Sequence, residues 1–189
     1  VSDSSDEISY LSFDLFANYE EKISVTQICQ KVIGPKLKKV TKRLELTFAI
    51  RNAVDGDIIQ LTNDIVITRD TDDDRNYVYS SITVDLNGHK ISMDKPKFIN
   101  SYAFIIQSEN GQLTITGNGE IDCINGGSYG YPVRADINSK IIIENGTFRG
   151  VTTVVYVTTG TAIIKGGYYE ATPDTEEEDL RYTLNCYDA

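Results

Sequence analysis

One short phrase, recurring four times with variation, constrains the fold more than any other feature of this chain. It occurs over residues 82–88 (ITVDLNG), 113–119 (LTITGNG), 141–146 (IIIENG) and 162–167 (AIIKGG). Each copy is a run of mostly β-branched residues closed by Asn-Gly or Gly-Gly, which reads as a strand running into a tight turn. A unit this small buries its apolar face only against its neighbours, so the repetition predicts a stack. The closing glycines, Gly88, Gly119, Gly146 and Gly167, are 31, 27 and 21 residues apart, which suits one coil of a solenoid with loops of varying length.

Asn-Gly can also join two antiparallel strands in a hairpin. Here the Asn-Gly copies fall at matching places in successive units, and matching corners argue for parallel stacking. Connections between parallel strands are almost always right-handed. The predicted fold is a mainly β, right-handed parallel β-helix over residues 46–189, with an immunoglobulin-like or jelly-roll β-sandwich as the alternative. Further strands are expected at Ile58–Leu61, Ile65–Ile67, Phe104–Ile106, Val133–Ile137, Val154–Val157 and Tyr182–Tyr187. The coil interiors are assigned to Val84, Leu86, Ile115, Ile121, Ile143, Phe148, Ile164 and Tyr169. Residues 182–188 read as the start of another coil, so continuation of the natural chain, or cover by another chain, is expected there.

The first 45 residues differ in texture and are read as a segment for attachment or oligomerisation. Residues 1–19 are acidic, with an apolar patch at Tyr10, Leu11, Phe13, Leu15 and Phe16. Residues 20–33 place Val25, Ile28, Cys29 and Val32 on one helical face, and Gly34-Pro35 stops that helix. Residues 36–44 have Leu37, Val40 and Leu44 at helical spacing among Lys36, Lys38, Lys39, Lys42 and Arg43. This basic cluster reads as a solvated helix face or as a dock for an acidic partner, with Lys36, Lys38 and Lys39 as interface candidates. A short helix is expected at 47–54, with Thr47 as its N-cap and a capping role over the end of the solenoid.

A net charge of −10 argues against nucleic-acid binding through a global field. No apolar run is long enough to suggest a membrane span. The acidic start lacks the basic and apolar regions of a signal peptide. Cys29, Cys123 and Cys186 are widely spaced and odd in number, so they are expected to be reduced and mostly buried, in keeping with a reducing cytoplasm.

The segments LTFAIRNAVDGDIIQLTNDIVIT, ITVDLNGHKI, LTITGNGEI, IIIENGTFRG, AIIKGGYYEATP and YTLNCYDA, within residues 46–189, resemble the pectate-lyase-like β-helix repeats of two groups. One group is surface proteins of gut bacteria; the other is virion proteins of their phages. The resemblance implies a structural virion protein: a head fibre, tail fibre or capsid-decoration subunit, typically a homotrimer. It further implies an N-terminal arm docked on other virion proteins and a projecting β-helix that adheres to host-surface polysaccharide. The expected location is the virion, or alternatively the bacterial surface, where the chain would be an adhesin.

Tailspike-type depolymerases and lyases use the same scaffold, so outward acids are the candidates if the chain is an enzyme: Glu120, Asp122, Asp136 and Glu144, with Asp85 beside them. Hydrolases need two carboxylates at a set separation. Arg134 lies near Asp136, and Lys165 falls one coil after Glu144, so charge balance across coils is the simpler reading. The sole histidine, His89, sits at a corner without a nucleophile motif. Asp70, Asp72 and Asp74 offer the start of a Ca²⁺ loop, but Arg75 and Ser81 stand where an EF-hand needs Gly and Glu. No cofactor is otherwise expected. Tyr129, Tyr131, Tyr156, Tyr168, Tyr169, Tyr182 and Tyr187 suit coil filling, sugar stacking or protein contact.

Overall fold

The computed structural model describes residues 34–68, 76–94, 100–127, 129–173 and 181–187. Residues 35–189 form one compact unit. Its strands are β1 (Leu37–Val40), β2 (Ile58–Leu61), β3 (Ile65–Ile67), β4 (Tyr77–Val78), β5 (Ile82–Asp85), β6 (Lys90–Met93), β7 (Asn100–Ile106) and β8 (Gln112–Thr116). They continue as β9 (Glu120–Asp122), β10 (Tyr129–Ala135), β11 (Ser139–Ile143), β12 (Thr147–Val151), β13 (Thr153–Val157), β14 (Gly160–Ile164), β15 (Tyr168–Thr172) and β16 (Tyr182–Cys186). One helix, α1 (Arg43–Arg51), lies between β1 and β2.

The strands form three sheets, each ordered by steps through the chain. Sheet A runs β1-β2-β5-β8-β11-β14, sheet B runs β3-β6-β9-β12-β15, and sheet C runs β4-β7-β10-β13-β16. Every described pairing is parallel, for example Val84 opposite Ile115 and Ile91 opposite Ile121. Each coil therefore contributes one strand to each sheet, and the fold is a parallel β-helix. The sandwich alternative fails because a sandwich of hairpins would pair its strands antiparallel. The four repeated phrases are successive rungs of sheet A, together with the corner that leads into sheet B.

The interior consists of aligned columns. Sheet A stacks Ile59, Val84, Ile115, Ile143 and Ile164. Sheet B stacks Ile65, Ile91, Ile121, Phe148 and Tyr169. Sheet C stacks Val78, Ile106, Ala135, Val157 and Cys186. Alternation along each strand turns the intervening residues outward. Each fully buried aliphatic or phenyl side chain contributes roughly 1.5–3 kcal/mol. Val84, Leu86, Ile115, Ile121, Ile143 and Phe148 are buried as the sequence predicts. Ile164 stands in the same column but is 40% exposed, and Tyr169 is only half-buried. The reason is position: both belong to the last described coil, with no described strand beyond it.

Two expectations about the N-terminal end are corrected. Residues 36–44 are not one helix: β1 adds an edge strand to sheet A, and α1 begins only at Arg43. An apolar residue on either side of two lysines fits an edge strand, and pairing of Lys39 with Gln60 and Val40 with Leu61 outweighs the helical spacing. Thr47 is not an N-cap either. It is buried inside α1, where its Oγ1 donates to Asn76 Oδ1 (3.0 Å), and Asn76 Nδ2 donates to the Ala103 carbonyl (3.0 Å). The capping role of the helix does hold. Leu46, Ala49 and Ile50 face the core and close its N-terminal end, while Leu44 and Phe48 face out.

Corner chemistry fixes the coil path. Asn87 (φ 49°) and Gly88 (φ 78°) both adopt left-handed backbone between β5 and β6. At the next corner a side chain on Gly119 would run into the His89 carbonyl oxygen below, so close coil stacking itself demands glycine there.

Candidate functional site

The outer face of sheet B carries a ladder of alternating charge. Lys90, Glu120, Thr147 and Tyr168 form one outward column; Ser92, Asp122, Arg149 and Glu170 form the next. Lys90 Nζ lies 2.6 Å from Asp122 Oδ2 and 3.4 Å from Glu120 Oε1. Arg149 reaches Glu120 Oε1 (3.1 Å) on one side and Glu170 Oε2 (3.1 Å) on the other. The hydrogen bond to Asp122 raises the Lys90 pKa against partial burial, and the charges of Asp122 and Glu120 add to that. The carboxylates Glu120 and Asp122 thus share one ammonium.

Asp136 lies elsewhere, just after β10 on sheet C. Its Oδ1 accepts from Arg134 Nε (2.8 Å) and from the Thr158 hydroxyl. Arg134 Nη1 donates to the Tyr102 hydroxyl (2.8 Å), and the guanidinium lies 5.1 Å from the Tyr102 ring centre and 5.5 Å from that of Tyr156. Burial, the largest single influence, disfavours the Arg134 charge, but the hydrogen bonds and charge interactions with Asp136 and Tyr102 together outweigh it and hold the pKa above the ordinary value. Tyr131 packs between Tyr102 and Tyr156 with ring centres 5.5 Å from each. With Ile105 and Tyr77 these rings make a second apolar cluster, outside the coil.

Glu144 stands at a third place, the corner after β11, where Lys165 of the next coil contacts it at 2.8 Å. The four sequence candidates therefore occupy three separate sites, and every one of them is ion-paired. Glu144–Lys165 and Arg134–Asp136 are the charge-balancing neighbours the sequence suggests. Asp85 accepts from Gln60 Nε2 (2.8 Å) and from the Asn87 amide (2.9 Å), which makes it a corner brace. His89 is half-exposed at its corner, 3.5 Å from Asp64.

Asp70, Asp72 and Asp74 lie outside the described residues, as do Tyr10, Leu11, Phe13 and Phe16. Among the described residues no cluster of three or more His, Cys, Asp or Glu side chains is arranged to hold a metal. No described helix is long and apolar enough to cross a membrane.

The three lysine candidates separate. Lys36 and Lys39 are exposed. Lys38 turns inward: its Nζ contacts Asp57 Oδ2 (2.6 Å) and donates to the Asn52 carbonyl (2.9 Å). Its inward place follows from the register, since it lies opposite the buried Ile59. The expectation of mostly buried cysteines also needs correction. Cys123 is buried in the core, whereas Cys186, in the last described coil, is exposed, and Cys29 lies outside the described residues.

The sequence reading passed over Lys90, Arg149 and Glu170, the partners that complete the ladder. The signal for Lys90 and Glu120 was present: aligned on the corner glycines Gly88 and Gly119, they fall within one position of each other. Leu37 and Leu44, read at helical spacing with Val40, are exposed at 55% and 69%, as is Phe48 at 70%, which the sequence reading passed over.

Comparisons of the chain with protein-family models, with curated proteins and with solved structures find no match.

Proposed function

We propose that this chain is a non-catalytic adhesion scaffold: a structural phage virion protein, fibre or capsid-decoration subunit, whose β-helix projects toward host-surface polysaccharide. The observation that carries the reading is the disposition of its acids. Glu120, Asp122, Asp136 and Glu144 lie at three separate places and are each bound to a cation. A glycoside hydrolase instead needs two carboxylates facing one bond across a cleft. Adhesion is supported by aromatic surface: Tyr79, Tyr168, Tyr182 and Tyr187 are 44–76% exposed, and such rings stack on sugar faces while their hydroxyls stay hydrated. The virion assignment rests on the resemblance of the repeats, and with it come lateral trimers and attachment through residues 1–45.

The test has two parts. Immobilised surface polysaccharide from candidate hosts should retain the protein while releasing neither reducing ends nor unsaturated uronic acid. Antibody against the chain should label purified phage particles. Release of sugar ends would replace the adhesion reading by the depolymerase one, and particles without the protein would remove the virion reading.

A further inference from the structure

Asn-Gly, the pair that closes three of the four repeated phrases, is chemically labile as well as turn-forming. The chain holds five such pairs, which begin at Asn87, Asn110, Asn118, Asn125 and Asn145. In each, the glycine nitrogen can lose its proton to water and attack the side-chain Cγ of the asparagine. The Cγ–Nδ2 bond then breaks, the amine leaves with a proton as ammonia, and a succinimide ring remains. Water opens either imide carbonyl to give aspartate or isoaspartate, so the net change consumes a water and releases an ammonia. Glycine favours the attack because it has no side chain to obstruct the approach.

The attack needs a glycine N–H that is unbonded and open to water, and an asparagine side chain free to swing onto it. The fold grants these conditions unequally. Gly111 and Gly126 donate their N–H groups to the Ser108 and Cys123 carbonyls (2.8 Å each), and both glycines are buried. Gly119 is also buried, packed against the His89 carbonyl. Asn145 Nδ2 donates to Asn118 Oδ1 (3.1 Å), which ties both of those side chains, and Asn145 Oδ1 is enclosed. The β5–β6 corner differs. Asn87 and Gly88 are both exposed, and the Gly88 N–H donates to no described group. No atom beyond its chain neighbours comes within 4 Å of where a Gly88 Cβ would stand. Among the described contacts the Asn87 side chain is held by one bond, from Nδ2 to the Leu61 carbonyl of the coil below (3.0 Å). A single neutral hydrogen bond at a wet corner opens readily, because water replaces the partner.

We infer that Asn87-Gly88 is a site of spontaneous modification in the folded protein, where the succinimide forms well before it does at the other four pairs. The products undo the corner. A carboxylate at position 87 lacks the donor that holds the Leu61 carbonyl. It also stands beside Asp85, whose Oδ1 accepts from the Asn87 amide (2.9 Å). Isoaspartate adds a carbon to the main chain at a residue whose left-handed conformation (φ 49°) sets the path from β5 to β6. Conversion therefore weakens the hold of this coil on the one below, whatever the solenoid binds.

The test incubates the full chain in mildly alkaline buffer made with heavy-oxygen water, beside a sample in denaturant, and maps the uptake of label by peptide mass analysis. In the folded protein Asn87 should convert at least about tenfold faster than any of the other four, a barrier difference of about 1.4 kcal/mol. In denaturant the five rates should fall within about threefold of one another, since each asparagine then precedes an unhindered glycine. Gly88→Ala, tolerated by the empty space around that residue, should slow Asn87 at least about tenfold and leave the other four unchanged. Isoaspartate should appear at position 87, and the converted protein should unfold at a lower denaturant concentration than fresh protein. A different pair leading in the folded state, or native rates in the same proportions as the denatured ones, overturns the inference. So does a folded Asn87 that stays unlabelled while the denatured sample converts. Uptake at Asn87 that Gly88→Ala does not slow would mean direct hydrolysis of the amide without a ring, and converted protein as stable as fresh protein would overturn the loosening of the corner.

Discussion

Lys38 Nζ lies 2.6 Å from the carboxylate of Asp57, the most enclosed charge contact among the described ion pairs. Asp57 is almost wholly buried and also accepts from the amides of Lys36 (2.8 Å) and Val54 (3.0 Å). It ties β1 to the loop between α1 and β2, so it holds the N-terminal edge against the helix that caps it. Burial alone would raise its pKa, but the Lys38 and amide hydrogen bonds outweigh that and hold it below the usual carboxylate value. Asp57→Asn should therefore cost about 2–4 kcal/mol, since it leaves the ammonium and two amides facing a weaker acceptor. Because the folded pKa lies below the unfolded value of about 3.9, the contribution is complete above that value and lost as pH falls through the folded pKa. The Tm gap between wild type and Asp57→Asn should be full at pH 7 and narrow below about pH 4. A gap that is constant with pH would mean that the charge of Asp57 does not matter.

Phe148 and Tyr169 are successive members of one column, stacked at 5.3 Å with an interplanar angle of 9°. Their surroundings differ, since Phe148 is fully buried and Tyr169 borders the open end. Phe148→Ala should cost about 3–5 kcal/mol in chemical denaturation, the range for an enclosed aromatic cavity. Tyr169→Ala should cost less than about 2 kcal/mol, because water reaches much of the space it leaves. Burial pushes the Tyr169 hydroxyl up to about 12, and its hydrogen is donated to the Gly166 carbonyl. Equal costs at the two positions would mean that the last coil is closed in solution.

How much of this was legible in the sequence follows the range of the interactions. The repeats, the corners and six of eight interior residues could be read because period and turn chemistry are local. The exposure of Ile164 could not, because it carries the same letters as Ile143 and differs only in having no described strand beyond it. Lys38 was misplaced for a related reason. Four residues with two central lysines have no decisive period, and only pairing with Ile59 turns the side chain inward. Asp136 and Glu144 were read beside Arg134 and Lys165, whereas Glu120 and Asp122 were read without a partner, because theirs comes from the neighbouring coil: Lys90 lies 30 residues from Glu120 and 32 from Asp122.

Two glycines should respond very differently to alanine. Gly160 opens β14 with φ 138°, and a side chain there would collide with the Ser139 carbonyl of the coil below. Gly160→Ala must therefore both strain the backbone and push the coils apart, and should cost at least about 2 kcal/mol. Gly88 also has positive φ, but the space around it is empty. Gly88→Ala should cost only about 1 kcal/mol, the left-handed penalty by itself. Denaturation midpoints of the two variants measure the difference, and a larger loss at Gly88 would contradict the stacking described here.

Cys123 and Cys186 differ in reactivity for a physical reason. Burial raises the Cys123 pKa strongly, and the negative charge of Asp122 adds to it, so thiolate is scarce as well as enclosed. Cys186 is exposed. Under native conditions a thiol-reactive probe should label Cys186 and spare Cys123 until the protein unfolds, as peptide mass mapping would show. Labelling of Cys123 at the Cys186 rate would require the core to open far more readily than its burial allows.

The charge ladder on sheet B gives the sharpest separation of binding from turnover. Glu120 and Asp122 sit on one strand with Lys90 between them, the nearest approach to a carboxylate pair among the candidates. The double variant Glu120→Gln, Asp122→Asn removes both charges while keeping their shape. Its Tm should fall only slightly, since partly exposed ion pairs contribute about 0–1 kcal/mol each. Polysaccharide retention should persist within about threefold, a change of less than 1 kcal/mol. Tyr168→Ala, which removes an exposed ring from the end of the Lys90–Glu120 column, should weaken retention by about tenfold, in line with loss of one well-used aromatic contact. A depolymerase would show the reverse ranking: the double variant would abolish sugar release outright, and the tyrosine would matter chiefly for affinity.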